Sequence, residues 1–321
     1  MTLQQLRYLC AIADCGFNIS RAAELLHTSQ PGISKQIGML EEELGAGIFV
    51  RRKGRMVDVS ERGTQVLEVA RRILKDANSL RFMGDEVVHA GGGRLALAVL
   101  HIHARYLLLD VINQFKRNHP GVRIDLLQGT PGKVSELVMS GEADIGVTVA
   151  PVTRLTGLLQ IACWPVPRSI VVPVRHPLLR KPRPTLEDIA RYPVIAVEAS
   201  SAVDWEIRRA FQARGIELDI AMHAADASVI KAYVESGIGI AVLPTAAFEP
   251  QRDKGLRAIK ATHLFGDSHL NLLIDPYRYL RSFAYDFIEL VVPEWVRERV
   301  EQAMARQAKQ ERIRGGPPHE G

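Results

Sequence analysis

The sequence lacks the features that would tie it to a membrane or to an oxidising compartment. No stretch approaches the roughly 18 to 20 consecutive apolar residues that a membrane-spanning helix requires, and the first residues lack the basic segment and apolar run of a signal peptide. The three cysteines, Cys10, Cys15 and Cys163, form no CxxC pair, so we interpret them as small hydrophobic residues. We therefore expect a cytoplasmic protein.

The motifs of common enzymes are missing as well. The sequence contains no GxSxG, HExxH, P-loop or Rossmann glycine fingerprint, and no carboxylate pair stands out from ordinary surface charge. The run Gly91-Gly92-Gly93 is not followed by the Lys-Ser/Thr of a phosphate loop. We expect a protein that is not an enzyme and that carries no cofactor or metal.

Charge is distributed unevenly in this chain of 321 residues, whose 41 basic and 36 acidic residues give a net charge of +5. The first sixty residues hold seven basic and six acidic side chains, but four of the basic ones cluster at Arg51, Arg52, Lys53 and Arg55. Such a patch suits a polyanionic partner.

The same sixty residues show the periodicity of three helices. Apolar spacing predicts a first helix over 3–15, and Ser20 is a suitable N-cap for a second, short helix that ends at Leu26. A turn at 27–31 precedes a third helix that runs to about residue 44. We expect its buried face to consist of Ile33, Ile37, Leu40 and Leu44.

The start and the outer face of the third helix suit the major groove of DNA. Gln side chains can bond an adenine edge, Ser can donate or accept, and Lys can reach guanine or phosphate. Two short strands, 48–52 and 56–59, predict a wing whose basic cluster meets phosphates or the minor groove. The predicted DNA-binding residues are Ser29, Gln30, Pro31, Ser34, Lys35, Arg51, Arg52, Lys53 and Arg55. The alternative is a solvated surface with no such role.

A long helix is predicted over 61–89, after the N-cap Ser60. Its apolar and small residues follow coiled-coil spacing, which predicts a dimerisation seam at Val66, Ala70, Ile73, Ala77, Leu80 and Val87. The alternative is a helix packed on its own domain. The glycines 91–93 then end the helix and mark a linker.

From residue 92 to about residue 300, short apolar strands alternate with helices, which predicts an α/β fold with mainly parallel sheets in two lobes. The elements that we expect include a helix over 104–118, a strand over 194–197 and a helix around 282–291. We expect lobe I at 92–163 and 268–300, lobe II at 164–267, and a mobile tail after a final helix. Strand ends followed by helix N-termini suit an anionic ligand in the cleft between the lobes. The predicted ligand residues are Leu100, His101, Ile102, His103, Thr130, Thr148, Ser200 and Ser201. We assign no metal to His101 and His103, because alternate residues of a strand face opposite ways.

Several segments of the chain resemble the LysR-type transcriptional regulators. In the first domain they are 3–9, 21–26, 28–37 and 40–45, and in the larger domain 104–106, 226–231, 237–244 and 280–288. The version Pro31-Gly32-Ile33-Ser34-Lys35-Gln36 is most similar to the CysB subgroup, the activators of sulfur-assimilation genes. The resemblance implies a winged helix-turn-helix, a long linker helix and a two-lobed effector domain like the periplasmic solute-binding proteins. It also implies promoter DNA, a small effector, RNA polymerase and further copies of the chain, as homodimer or homotetramer, as partners.

The pattern of that subgroup is broken at the implied effector pocket. Threonines that hold sulfate or acetylserine there correspond to Leu100 and Ile102, a glutamine corresponds to His103, and further threonines align with Val149 and Ala202. Each lost hydroxyl removes a hydrogen bond worth roughly 0.5 to 1.5 kcal/mol. We therefore expect a larger, partly apolar effector with an anionic portion. Two alternatives stay open: a constitutive repressor whose cleft has lost its ligand, and an exported solute-binding protein, for which residues 1–90 have no use.

Overall fold

The structure is a computed structural model that describes residues 1–52, 55–88, 92–149, 157–197, 202–266 and 268–314. The chain folds into two compact units, Met1–Val88 and His89–Gly321. Within the described ranges, no helix is both long enough and apolar enough to cross a membrane.

The first unit consists of helices and one two-stranded ribbon. In chain order, its described elements are α1 (Leu3–Asp14), α2 (Ile19–Leu25), α3 (Gln30–Leu44), β1 (Phe49–Arg52), β2 (Arg55–Val59) and α4 (Glu61–Val88). The strands pair antiparallel, with Phe49 opposite Val59. The helix-turn-helix and wing that the sequence predicts are therefore confirmed as local structure.

Side-chain caps set where the helices of this unit begin. Thr2 and Gln5 form a capping box on α1, and the Ser29 hydroxyl accepts from the Gly32 amide at the start of α3. The prediction of Ser20 as the cap of α2 is wrong, because the Asn18 side chain accepts from the Arg21 amide and the helix begins at Ile19.

The core of the first unit lies between α1, α3 and the start of α4. Ile33, Ile37 and Leu40 are fully buried, which confirms most of the predicted face of α3. Leu44, however, is 40% exposed, because α3 ends there in front of the left-handed Gly45.

Helix α4 uses much of its predicted seam within its own unit. Ala70 is buried in the core, and Val66 and Ile73 pack against that core, so these three do not form a free dimerisation surface. The exposed apolar residues of the helix are Val69 and Leu80 among those described. They lie eleven residues, or about three turns, apart and therefore share one side of α4.

The second unit is longer and alternates strands with helices. In chain order, its described elements are β3 (Gly93–Val99), α5 (His101–Tyr106), α6 (Leu109–Asn118), β4 (Val122–Gln128), α7 (Pro131–Ser140), β5 (Ile145–Val149), β6 (Leu159–Val166), β7 (Arg168–Pro173), α8 (Leu186–Ile189), β8 (Val194–Val197), α9 (Ala202–Gln212), β9 (Ile220–Ala224), α10 (Ala227–Glu235), β10 (Ala241–Pro244), β11 (Leu256–Lys260), α11 (Thr262–Phe265), β12 (Ser268–Ile274), α12 (Ser282–Val291) and α13 (Arg297–Arg314). Two 3-10 turns, Pro177–Arg180 and Thr245–Ala247, complete it.

Three sheets of this unit are distributed over two lobes with separate cores. Lobe I has the strand order β4-β3-β5-β12-β6, and lobe II has β10-β7-β11 together with the pair β8-β9. A bridge between Val194 and Ile240 links the two parts of lobe II. The sheet of lobe I is mixed rather than mainly parallel as predicted, because β12 returns from lobe II and pairs antiparallel with both β5 and β6. In lobe II, β7 pairs antiparallel with both β10 and β11.

The boundaries of the predicted elements are corrected at two places. The single helix expected over 104–118 is two helices, α5 and α6, and α5 begins already at His101. Strand β6 continues to Val166, so the first crossing into lobe II lies at Pro167 rather than at residue 163.

The entry of the chain into α4 generates a stability prediction. A Cβ atom on Gly63 would lie 2.1 Å from the Ile48 carbonyl oxygen, so Gly63→Ala must displace β1 or the first turn of α4. We expect it to destabilise the first unit by about 2 kcal/mol or more, as overpacking against backbone does. Gly38→Ala is the control, because nothing lies within 4 Å of its Cβ position and alanine favours a helix by about 0.5–1 kcal/mol. Urea denaturation of the full chain measures both, and equal stability of the two variants would contradict the close approach.

Candidate functional site

The outer face of α3 carries four of the predicted DNA-binding residues. Gln30, Pro31, Ser34 and Lys35 are all exposed, and their spacing of one and four residues places them on one side of the helix. No hydrogen bond engages the side chains of Gln30, Ser34 or Lys35 in the described part of the chain, so they are available to a partner. Ser29 lies just before them and is exposed, but its hydroxyl already caps α3.

The structure describes the side chains of two basic residues of the wing, Arg51 and Arg52, and only Arg51 forms an ion pair among the described contacts. Arg51 Nη2 lies 2.6 Å from Glu41 Oε2, and the Glu41 side chain is only 10% exposed. Arg52 is exposed. Lys53 lies outside the described residues, and so does the side chain of Arg55, whose backbone belongs to β2. Arg51 therefore has a structural role that the sequence did not predict.

Glu41 also fixes the position of the wing relative to α3. Its Oε1 atom accepts from the backbone amides of Ile48 at 2.8 Å and Phe49 at 3.2 Å. One carboxylate thus joins the exposed helix to the first strand of the wing. Glu41 is the first of three consecutive glutamates, so the sequence does not distinguish it from Glu42 and Glu43.

In the second unit, three predicted ligand residues lie at neighbouring strand ends of lobe I. Leu100 follows β3, Thr130 follows β4, and Thr148 lies one residue before the end of β5. Because β3 is parallel to β4 and β5, these ends share one edge of the sheet. Thr130 caps α7 by accepting from the Lys133 amide. Thr148 is buried, and its hydroxyl has no hydrogen-bond partner in the described structure.

The run 101–103 belongs to α5 and not to a strand. His101 is exposed, whereas Ile102 packs in the core of lobe II and His103 is 1% exposed. Ile102 thus has a packing role in lobe II, and its contact with a ligand stays a prediction. His101 and His103 still point in nearly opposite directions. The reason is that residues two apart on a helix are rotated by about 200°, and not that they alternate on a strand.

His103 is held uncharged. Burial and, secondarily, the charge of Arg168 lower the pKa of the His103 imidazole to about 4. Its Nδ1 atom has no hydrogen-bond partner among the described residues. At neutral pH the imidazole is consequently a neutral, buried group with one nitrogen available.

Arg168 and Ser268 were missed by the sequence analysis. Both are buried, and Arg168 Nη2 donates to the Ser268 hydroxyl at 2.6 Å. They are the first residues of β7 and β12, which begin where the chain crosses between the lobes. A charged residue two positions before the apolar run 170–172 is the only signal that the sequence offers.

Thiol and metal chemistry find no support in the described residues. Burial raises the pKa of the Cys10 thiol to about 11 and that of Cys163 to about 12, so both are protonated at neutral pH. Among the residues described, no group of three His, Cys, Asp or Glu side chains could hold a metal ion. Ser200 and Ser201, predicted on the opposite lobe, lie outside the described residues.

Comparison with known proteins identifies both domains. The model of the bacterial regulatory helix-turn-helix proteins of the lysR family matches residues 3–64, and that of the LysR substrate binding domain matches residues 89–295. The HTH-type transcriptional regulator CysB of Burkholderia cenocepacia is 38% identical over 309 residues, which are 96% of this chain and 99% of that protein.

Solved structures of related regulators share the fold of this chain. The cofactor-binding domain of the Cbl transcriptional regulator is 31% identical, with a TM-score of 0.64 over 67% of this chain and 95% of that one. Full-length CbnR in complex with its target DNA shares the fold, with a TM-score of 0.59 at 22% identity over 91% of this chain and 99% of that one. The resemblance seen in the sequence is thereby confirmed. The chain belongs to the LysR-type transcriptional regulators, with an N-terminal DNA-binding domain and a C-terminal domain that binds a small molecule.

Proposed function

We propose that the protein controls genes of sulfur metabolism from the cytoplasm, with no enzymatic activity. The identity to CysB over almost the whole chain supports this regulon. We further propose that it acts on RNA polymerase as a homotetramer and that its effector differs from sulfate.

Base recognition is assigned to α3 and backbone contact to the wing. The exposed and unengaged side chains of Gln30, Ser34 and Lys35 carry this assignment, because bases are read by free donors and acceptors on a groove-sized helix. Arg52, exposed at the end of β1, supplies phosphate contact, whereas Arg51 is held by Glu41.

Gln30→Ala and Ser34→Ala should each weaken binding to the promoter site by roughly 1–3 kcal/mol, with little effect on random DNA. Arg52→Ala should weaken both and reduce the salt slope by about one. Fluorescence anisotropy at several salt concentrations measures the difference. The assignment fails if the α3 variants lose affinity equally on both DNAs.

Self-association is assigned to the exposed side of α4. Val69 and Leu80 are 48% and 70% exposed, which is unusual for apolar residues that share one side of a helix. The buried Ala70, by contrast, cannot meet a second chain without unfolding the unit.

Leu80→Asp should therefore raise the dissociation constant of the dimer at least tenfold without lowering the stability of the monomer, because it introduces a charge only at the interface. Ile73→Asp is the comparison, since it should also unfold the first unit. Analytical ultracentrifugation gives the assembly and circular dichroism gives the folding. An unchanged assembly state for Leu80→Asp would remove α4 from the interface.

The effector proposal depends on two buried polar atoms. Thr148 Oγ1 and His103 Nδ1 both lack partners within the described structure, and a buried hydroxyl left unpaired costs about 1–3 kcal/mol. A ligand that binds between the lobes can supply these partners. The apolar Leu100 next to them disfavours a small tetrahedral anion and favours a carboxylate with an apolar group.

The Thr148→Val variant tests the proposed effector contact, because we expect it to change stability and effector affinity in opposite directions. Without ligand, the variant should be equally stable or melt up to about 3 °C higher, because an unpaired hydroxyl is removed. Affinity for the effector should fall about twofold to tenfold. Thr245→Val is the control and should lose stability, because the Thr245 hydroxyl is bonded to Ser169 at 2.9 Å.

The ligands to titrate into the full-length protein by calorimetry are sulfate, thiosulfate, O-acetylserine and aromatic carboxylates. Saturable binding of an aromatic carboxylate that Thr148→Val weakens supports the proposal. Tight binding of sulfate or O-acetylserine that Thr148→Val abolishes would restore the simple sulfur-regulator assignment, and no binding of any of them would favour a constitutive repressor.

A further inference from the structure

Helix α5 is apolar on two opposite sides, and each side belongs to a different lobe. Ile102 and Tyr106, four residues apart, pack with the core of lobe II. Residues at this spacing share one side of a helix. Ala104, rotated by about 200° from both, lies in the core of lobe I, and so does Leu108, which follows the helix as the N-cap of α6. The six residues of α5 therefore form a wedge that is fixed in both lobes at once.

The contact of the wedge with lobe II is specific in its chemistry. The Tyr106 ring lies 5.2 Å from Lys231 Nζ of α10 and 5.1 Å from the guanidinium carbon of Arg105. A cation within about 6 Å of an aromatic centroid is attracted to the ring face. Two cations, Arg105 of α5 itself and Lys231 of lobe II, thus lie within cation–π distance of the Tyr106 ring.

Lys231 cannot move away from this ring without loss of other bonds. Its side chain is 7% exposed, and Nζ donates to the Ala247 carbonyl at 2.8 Å and to Asp253 Oδ2 at 2.7 Å. The same carboxylate oxygen accepts from the Glu249 amide at 2.8 Å. Lys231 is consequently held in a fixed position in lobe II, where it contacts the Tyr106 ring of α5.

The charge of Arg105 on α5 also acts on the start of α10. The Asp226 side chain caps α10 by accepting from the amides of Ser228 and Val229. The Ser228 hydroxyl is the main cause of the lowered pKa of the Asp226 carboxyl, and the charge of Arg105 adds to it. This longer-range attraction supplements the contact between Tyr106 and Lys231.

We propose that α5 couples the two lobes of the effector domain, and that the contact between the Tyr106 ring and Lys231 determines how closely the two lobes are held together. The proposal deepens the proposed function and rests on it in one respect, that the effector binds between the lobes. Because α5 begins directly after Leu100 at the strand ends of lobe I, a ligand placed there displaces α5 and thereby loosens or tightens α10. Tyr106 and Lys231 are positioning residues in this scheme, without contact to the ligand.

The test is hydrogen exchange of the full-length protein without any ligand, followed by mass spectrometry. Tyr106→Leu keeps an apolar side chain but removes the ring face, and should raise exchange about tenfold in peptides from both α5 and α10. Tyr106→Phe is the matched control. It keeps the ring and deletes a buried hydroxyl that has no partner among the described residues, so its exchange should stay within about twofold of the original.

Strands β3 and β5 report whether lobe I is still folded, and we expect their protection to be unchanged. A second set of variants covers the case in which Tyr106→Leu unfolds the domain. Lys231→Met together with Asp253→Asn removes the cation without leaving a buried carboxylate unpaired, and should release α5 by the same factor. Adding Tyr106→Leu to that pair should change nothing further.

The proposal is overturned if Tyr106→Leu and Tyr106→Phe exchange alike, if only α5 and not α10 is released, or if the Lys231 and Asp253 changes add fully to Tyr106→Leu. Because no ligand is present, a failed search for the effector does not affect this result. Release of both helices together with no effector found would leave the coupling intact and remove only the proposed effector.

Discussion

The effector domain depends on a buried charge at the place where the chain crosses between its lobes. Arg168 is fully buried, and its guanidinium donates to the hydroxyl of Ser268, which begins the strand of the return crossing. A hydrogen bond to a charged group contributes about 1.5–3 kcal/mol, more than one between neutral groups. The same charge adds to the burial that keeps His103 neutral. The two crossings and the strand ends of lobe I therefore share one electrostatic environment.

In the DNA-binding domain, the buried charged group that joins two elements is a carboxylate. The Glu41 carboxylate is mostly buried and accepts hydrogen bonds from two backbone amides of the wing as well as from Arg51. Hydrogen bonds to a charged acceptor are stronger than those between neutral groups. Helix α3 and the wing are thus held together by a side chain that is itself mostly buried.

Periodicity in the sequence sufficed for elements that pack in one way only. The helix over 282–291 and the strand over 194–197 were predicted at their observed bounds, because each has a single buried environment. The start of α5 could not be predicted, since its apolar residues continue those of β3 and become helical only because two lobes bury opposite sides. The seam of α4 shows the same limit. Steps of three and four residues indicate a buried stripe, but they do not tell whether the partner is α1 of the same chain or a second chain.

Distant pairings also lay beyond the sequence. The antiparallel insertion of β12 into lobe I depends on the return crossing, and Tyr106 meets Lys231 across 125 positions of the chain. The exposed residues of α3 could be predicted from the periodicity of one helix, and their contact with DNA stays a prediction. The pair Arg168 and Ser268 could not be predicted, because the two residues come from strands a hundred residues apart.

The close approach at Gly63 has a consequence for engineering. Because the first turn of α4 lies against the Ile48 carbonyl, with no room for a side chain, the wing and the linker helix cannot be exchanged separately between regulators. A chimera that takes its DNA-binding domain from this protein and joins it at residue 60 inherits whatever residue its new linker has at this position. Only fusions that place the junction beyond Gly63, and so carry Glu41, the wing and this glycine as one block, preserve the geometry that a new effector domain is meant to control.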